Sequence, residues 1–251
     1  MFCSAVSSRG QKPGVRHTNP TAPIVHQTVR PGPNPIYQQL KDSYKGVHSS
    51  GVALAVLIDT SGSMSGTVRG DAESKIVIAR WRAKELVRSV ETFASKTPGQ
   101  KVLVAVYEFS SRTGCRAVVP LGPPDAAAAD KAIDRMSPEG GTPIGEAMIV
   151  AAKALAQSGV GRTHMLVVTD GQNTVGYSPG DVTDVLSRVS EDQRPAIYFI
   201  AFDTGSNNFA PIAKAGGVVL SAANAEELRQ AMDGLLSGRI LVEAPDPTAS
   251  K

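Results

Sequence analysis

The sequence predicts an α/β fold of the Rossmann-like, doubly wound kind. The sheet is mainly parallel with one antiparallel edge strand, and helices cover both faces. Three observations carry this expectation. Short β-branched and aliphatic runs alternate along the chain with segments of helical period, an order that calls for right-handed crossovers between parallel strands. The strand runs are apolar throughout, as strands covered on both faces are. The chain has 251 residues, 41% of them hydrophobic, enough for one large domain with a full core.

Val52–Ile58 is a continuous aliphatic run and reads as the first strand. A helix follows from Ser74 or Lys75 to Ala94, because Ile76, Ala79, Ala83, Leu86, Val90 and Phe93 recur at spacings of three and four. Lys101–Phe109 and Arg116–Leu121 are two further strands. The short polar turn around Ser110–Gly114 makes them a hairpin at one edge. Helices are expected at Asp125–Met136 and at Pro143–Gln157, the latter with Ile144, Ala147, Met148, Ala151 and Leu155 on one face. Thr163–Thr169 is an apolar strand. Asp181–Ser190 (helix), Pro195–Phe202 (strand), Phe209–Ala215 (short helix), Val218–Leu220 (strand) and Ala225–Leu236 (helix) complete the pattern. There is no internal repeat.

The domain is placed at residues 50–240, after a Pro-rich basic tail over 1–49 that reads as largely irregular, and before a short C-terminal tail over 241–251. Pro13, Pro20, Pro23, Pro31, Pro33 and Pro35 interrupt helical patterning in the tail. Pro31-Gly32-Pro33-Asn34-Pro35 favours polyproline-like geometry, and Ile36–Leu40 suits a short turn against the domain. Net charge is +3, but unevenly spread. Residues 1–50 hold six bases against one acid, leaving 20 bases against 22 acids in the rest. The pI near 8.9 is therefore a property of the head, and a basic groove for nucleic acid across the domain is not expected.

Other classes drop out on composition. The longest strongly apolar stretch is too short to span a bilayer. Two cysteines, Cys3 and Cys115, make neither a disulfide scaffold nor a four-thiolate zinc site. Of the four histidines only His164 lies beyond the tail, where it suits a capping or half-buried position at a strand start. Met1-Phe2-Cys3-Ser4 shows no basic n-region and apolar core, so a cytoplasmic protein is the default expectation. A cysteine this early, ahead of a polar tail, also suits the mature end of an envelope lipoprotein.

In a sheet of this kind ligands bind at the carboxyl ends of the strands, near a topological switch point. The first strand ends in Asp59-Thr60-Ser61-Gly62-Ser63-Met64 and the fourth in Thr169-Asp170-Gly171, while Gly140-Gly141-Thr142-Pro143 enters a helix between them. Together they offer two carboxylates and three hydroxyls. That donor set suits a hard divalent cation: Mg²⁺ or Mn²⁺, with Ca²⁺ as a further option. Ser61 and Ser63 stand two apart, so a turn aims both hydroxyls one way while Gly62 allows the tight backbone. Asp59 sits behind them to orient waters or hydroxyls, and Thr142 and Asp170 come from other loops. Such weakly neutralising ligands leave the ion Lewis-acidic, with a position open to a partner's carboxylate. Each piece alone has an ordinary reading: a side-chain-capped loop, a Thr-Pro helix start, an Asp-Gly turn. Their joint occurrence at strand ends and a helix start is what favours the metal.

These residues resemble the von Willebrand factor type A domain family and its metal-ion-dependent adhesion site. The resemblance spans residues 50–240, and all five positions of Asp-x-Ser-x-Ser, Thr and Asp match as Asp59, Ser61, Ser63, Thr142 and Asp170. It implies that Ser61, Ser63 and Thr142 contact the ion, that Asp59 and Asp170 act mostly through water, and that an acidic group of a protein ligand completes the shell. The phrases around them look like the widespread microbial branch of the family. The function implied is a non-enzymatic, cation-dependent adhesion or scaffold module. The alternative is a subunit of a larger ATPase, chelatase or secretion-type assembly, with a Mg²⁺-dependent phosphohydrolase as a weaker third. Enzyme patterns fit poorly. An aspartate-nucleophile phosphatase wants Asp where Ser61 stands, and Gly62-Ser63-Met64-Ser65-Gly66 centres on Met64 rather than on the Ser of a nucleophile elbow. No Gly-Lys-Ser/Thr phosphate loop is present. The loops over residues 64–74, 171–180 and 204–208 should set partner choice. The partner's identity and the oligomeric state are not legible in the sequence.

Overall fold

The computed structural model describes residues 33–44, 49–68 and 70–242. Expectations that fall on residues 1–32, 45–48 and 243–251, including those for Cys3, His17, His26 and His48, lie outside the described residues. Six strands, β1 (Ser49–Asp59), β2 (Lys101–Ser110), β3 (Gly114–Gly122), β4 (Val160–Thr169), β5 (Ala196–Phe202) and β6 (Val218–Ala222), form one sheet in the order β3-β2-β1-β4-β5-β6. All neighbours are parallel except β2 and β3, which form the antiparallel hairpin at the edge. The Rossmann-like expectation, including its antiparallel edge, holds.

Among the described residues seven α-helices flank the sheet: α1 (Pro33–Leu40), α2 (Lys75–Lys96), α3 (Ala126–Ile133), α4 (Ile144–Ala156), α5 (Pro179–Ser187), α6 (Ala210–Lys214) and α7 (Ala225–Leu235). Alternate residues of β1 feed two separate cores. Val52, Leu54, Val56 and Ile58 pack with α2, α3 and α7. Ala53, Ala55 and Leu57 pack with α1, α4, α5 and α6. That two-sided burial explains why β1 reads as an unbroken apolar run. On the second face Ala53 and Ala55 share a cluster with Ala147, Ala151 and Ala152, and α4 packs against β1. After α7 a π-helical turn over Leu236–Ile240 buries Leu236 and Ile240, and Arg162 donates to the carbonyls of Ile240 and Val242 at 3.1 and 2.6 Å.

One difference from the sequence reading concerns the tail. Pro33–Leu40 is a helix packed on α4 and α5, not a polyproline-like linker ending in a turn. Pro33 and Pro35 fall in its first turn, where a missing N–H costs nothing. Ile36 and Leu40, four residues apart, are 0% and 2% exposed and join the α4–α5 core. Gln39 Nε2 donates to the Tyr177 hydroxyl at 3.1 Å. Proline count alone hid this helix, because prolines at a helix start are neutral while prolines in its body are fatal. The packed unit therefore begins by Pro33 rather than at residue 50.

His164 also differs in degree. It sits inside β4, opposite Leu54 and Ala196, and is 8% exposed. Its Nδ1 lies 3.5 Å from the Tyr198 hydroxyl, and its Nε2 has no partner among the described residues. Burial, with the nearby Arg162 charge adding to it, pushes its pKa down to about 4.

Two outcomes follow. Ile36→Ala should lower stability by about 2–4 kcal/mol in urea unfolding, whereas an unchanged midpoint would mean α1 is not docked in solution. The unfolded chain binds a proton at His164 near pH 6.5 and the folded one does not until about pH 4. Its contribution is therefore present above pH 6.5 and lost as pH falls towards 4, a loss on the order of 3 kcal/mol. His164→Leu should flatten the pH dependence of unfolding in that window; an unaltered slope would contradict the burial.

Candidate metal centre

β1 lies at the middle of the sheet, between β2 and β4, and the chain leaves its carboxyl end over one face while the connection into β4 crosses the other. This is the switch point where side chains from several loops converge. The last residue of β1, Asp59, is fully buried. Its Oδ1 accepts from the Ser61 backbone N–H at 2.7 Å and its Oδ2 from Thr169 Oγ1, the last residue of β4, at 2.6 Å. The carboxylate thus ties the two central strand ends together. Burial pushes its pKa up to about 6, against the hydrogen bonds from Thr169 and Ser61 and with some help from repulsion by Asp170.

Beyond Asp59 the backbone tightens into a 3₁₀ turn over Gly62–Ser65. Met64 is the plug of this turn, fully buried in the core beneath it, while Ser63 and Ser65 on either side of it are exposed. Ser61 Oγ and Ser63 Oγ are 3.1 Å apart, and Ser63 Oγ donates to Asp170 Oδ1 at 2.7 Å. Asp59, Ser61, Ser63 and Asp170 therefore form one hydrogen-bonded chain. Ser61 and Asp170 are buried and Ser63 is exposed, so the cluster reaches solvent through Ser63.

Thr142 arrives on the loop before α4. Glu139 N–H donates to the Thr60 carbonyl at 2.8 Å and Gly62 N–H to the Gly140 carbonyl at 2.9 Å, so this loop is bonded to the serine turn. Gly140 has φ +77°, and a Cβ there would stand 2.8 Å from Ser111 Oγ. The Gly-Gly-Thr phrase is thus a steric requirement of the loop. The ordinary reading of Thr142-Pro143 as a helix cap is corrected in part. α4 begins at Ile144, and its first N–H groups are satisfied from another loop: Asn173 Oδ1 accepts from Ile144 N at 2.7 Å and from Gly145 N at 3.3 Å. Thr142 N donates to Thr174 Oγ1 and its carbonyl accepts from Thr174 N, at 2.8 and 3.0 Å. Thr142 itself is only 4% exposed. Gly145 allows the contact between these loops, since a Cβ there would meet the Tyr177 carbonyl at 2.1 Å.

Two members of the cluster were missed from sequence. Lys75 Nζ lies 3.0 Å from Asp170 Oδ2 and 2.9 Å from Asp203 Oδ2. Burial pulls the Lys75 pKa down, but the bonds to Asp203 and Asp170 outweigh it and leave it raised. The available signal was positional. Lys75 is the first residue of α2, and that first turn has no acidic residue, although the positive end of the helix dipole favours one. Asp203 follows β5 with φ +53°, and nothing in its sequence neighbourhood marks it.

As a donor set the cluster is oxygen-only and rich in hydroxyls. No three His, Cys, Asp or Glu side chains come together to hold a metal among the described residues. The arrangement thus suits a hard cation bound through hydroxyls and water better than a soft one bound through thiolates or imidazoles. Ser61, Ser63 and Thr142 could touch such an ion, and Asp59 and Asp170 already orient two of those hydroxyls or their backbone.

Comparison with known proteins bears on the fold around this cluster. Residues 54–172 match the family model described as von Willebrand factor type A domain, a span that includes all five candidate residues. No curated protein matches. The vWF domain of the type V pili tip protein Mfa5 from Porphyromonas gingivalis is 13% identical with a TM-score of 0.62, covering 80% of this chain and 99% of that one. BatB from Bacteroides thetaiotaomicron is 20% identical with a TM-score of 0.57, covering 75% and 98%. The PilB minor pilin from Streptococcus sanguinis is 14% identical with a TM-score of 0.60. There the match covers 80% of this chain and 65% of the pilin, so the chain spans less than two thirds of that protein. At these identities the likeness is one of fold. The chain carries a von Willebrand factor type A domain match over residues 54–172, set in an α/β fold of that type.

Proposed function

We propose that this chain is a non-enzymatic protein-binding module in which a divalent cation, Mg²⁺ or Mn²⁺, captures an Asp or Glu of a partner protein. The observation that carries the reading is the hydrogen-bonded chain from buried Asp59 through Ser61 and Ser63 to Asp170, with the loop that carries Thr142 bonded to the same turn. Ser61, Ser63 and Thr142 would hold the ion directly, and Asp59 and Asp170 would orient water or hydroxyls around it. When bound, the ion supplies an electrophile that accepts a carboxylate oxygen.

The protein's own contribution is preorganisation. Asp59 and Asp170 are fixed by hydrogen bonds, so little side-chain entropy remains to be lost on binding. Three neutral hydroxyls leave most of the dication's charge available to the partner. The surrounding loops vary in chemistry: Gln172, Asn173, Asn208 and Phe209 line a cavity beside the loop that follows Asp170, and such contacts would select among acidic partners. The two pilus-protein neighbours agree with an interaction role.

The test uses full-length chain immobilised as bait. Partner capture should be lost with a chelator and restored by Mg²⁺. Thr142→Ala should reduce it at least tenfold, and Asp59→Ala should abolish it, while metal-free melting shows that both variants still fold. Capture that ignores the chelator or survives Thr142→Ala would contradict the reading.

A further inference from the structure

A lysine ammonium occupies the flank of the carboxylate cluster. The loop over residues 66–75 folds back so that Lys75 N–H donates to the Gly66 carbonyl at 2.8 Å, with a bridge between Thr67 and Ser74. This fold-back delivers the Lys75 side chain to Asp170 Oδ2 at 3.0 Å and to Asp203 Oδ2 at 2.9 Å. The ammonium is largely enclosed, at 12% side-chain exposure, and Asp170 is at 1%. Two features show that this position is held against local preference. A cation stands at the N-terminal end of a 22-residue helix, where the dipole opposes it. Asp203 takes a left-handed backbone, φ +53°, which non-glycine residues adopt at a cost.

We infer that Lys75 is a resident counter-ion that stabilises the metal-free cluster and weakens divalent-cation binding, with Asp203 sharing its charge. The inference rests on the metal reading of the site. Asp170 offers one oxygen to Ser63 and the other to Lys75. An incoming dication must share that carboxylate with an ammonium already in contact with it, and the two cations repel in a poorly solvated setting. Without Lys75, the repulsion between Asp59 and Asp170 would have no ammonium beside it to offset it. Lys75 thus raises the stability of the metal-free form and lowers the gain on loading, which keeps the ion exchangeable. Asp203 moderates this by drawing the ammonium away from Asp170, and it lies on the loop after β5 that flanks the cluster.

The experiment is a calorimetric Mn²⁺ titration of the full chain, with thermal melting in the absence and presence of Mn²⁺. Lys75→Met should bind Mn²⁺ at least roughly tenfold more tightly, melt lower without metal and gain more from metal. Lys75→Gln serves as the second variant should Lys75→Met fold poorly. Asp203→Asn should act in the opposite direction, weakening Mn²⁺ binding several-fold, because the ammonium then falls wholly to Asp170. A structural role for Lys75 would weaken metal binding on its removal. Unchanged or weaker binding by the Lys75 variants, or tighter binding by Asp203→Asn, would therefore overturn the inference while leaving the metal reading standing. Wild-type chain that takes up no Mn²⁺ would overturn both.

Discussion

The buried carboxylate of Asp59 is the interaction on which the rest of the cluster depends. A carboxylate at the centre of a sheet is costly to bury unless its lone pairs are met. Here Thr169 Oγ1 and the Ser61 N–H meet them. The first bond ties β4 to β1 at their carboxyl ends, and the second turns the chain sharply out of the strand. From that turn come the 3₁₀ geometry of residues 62–65, the exposed Ser63 and Ser65, and the bonds from Gly62 and Thr60 to the loop that carries Thr142. One desolvated charge thus orders three loops.

The cost left over is visible in the charges around it. Asp59 titrates high because burial disfavours its ionised form, and Asp170 adds repulsion. Beside it, Lys75 is held between Asp170 and Asp203. Positive charge at the strand ends is therefore local and specific, whereas the basic excess of residues 1–50 is a separate matter. The near-neutral total conceals an acidic cluster with a lysine held in it. No helix among the described residues is long and apolar enough to cross a membrane.

Much of the fold was legible because strand and helix periods differ and each strand is buried on both faces. The alternation from Val52–Ile58 to Ala225–Leu236 predicted every strand and every helix from α2 onward, with boundaries shifted by a few residues at caps. What escaped had physical reasons. α1 was masked by Pro33 and Pro35, whose effect depends on their place in the helix rather than on their presence. The capping of α4 by Asn173 is a long-range bond that no local pattern encodes. In the cluster, Asp59, Ser61, Ser63, Thr142 and Asp170 could be named because they lie in the short segments that follow β1 and β4 and precede α4. Lys75 and Asp203 could not, since their meeting depends on a fold-back over residues 66–75 and on a left-handed turn after β5.

The central claim is that the hydroxyls and carboxylates at the β1–β4 edge form a divalent-cation site. Anomalous scattering from crystals of the full chain grown with Mn²⁺ tests it most directly. The account predicts one peak in contact with the Ser61, Ser63 and Thr142 hydroxyls, with Asp59 and Asp170 reached through water. Crystals that show no peak there, with Ser63 still bonded to Asp170, would contradict it.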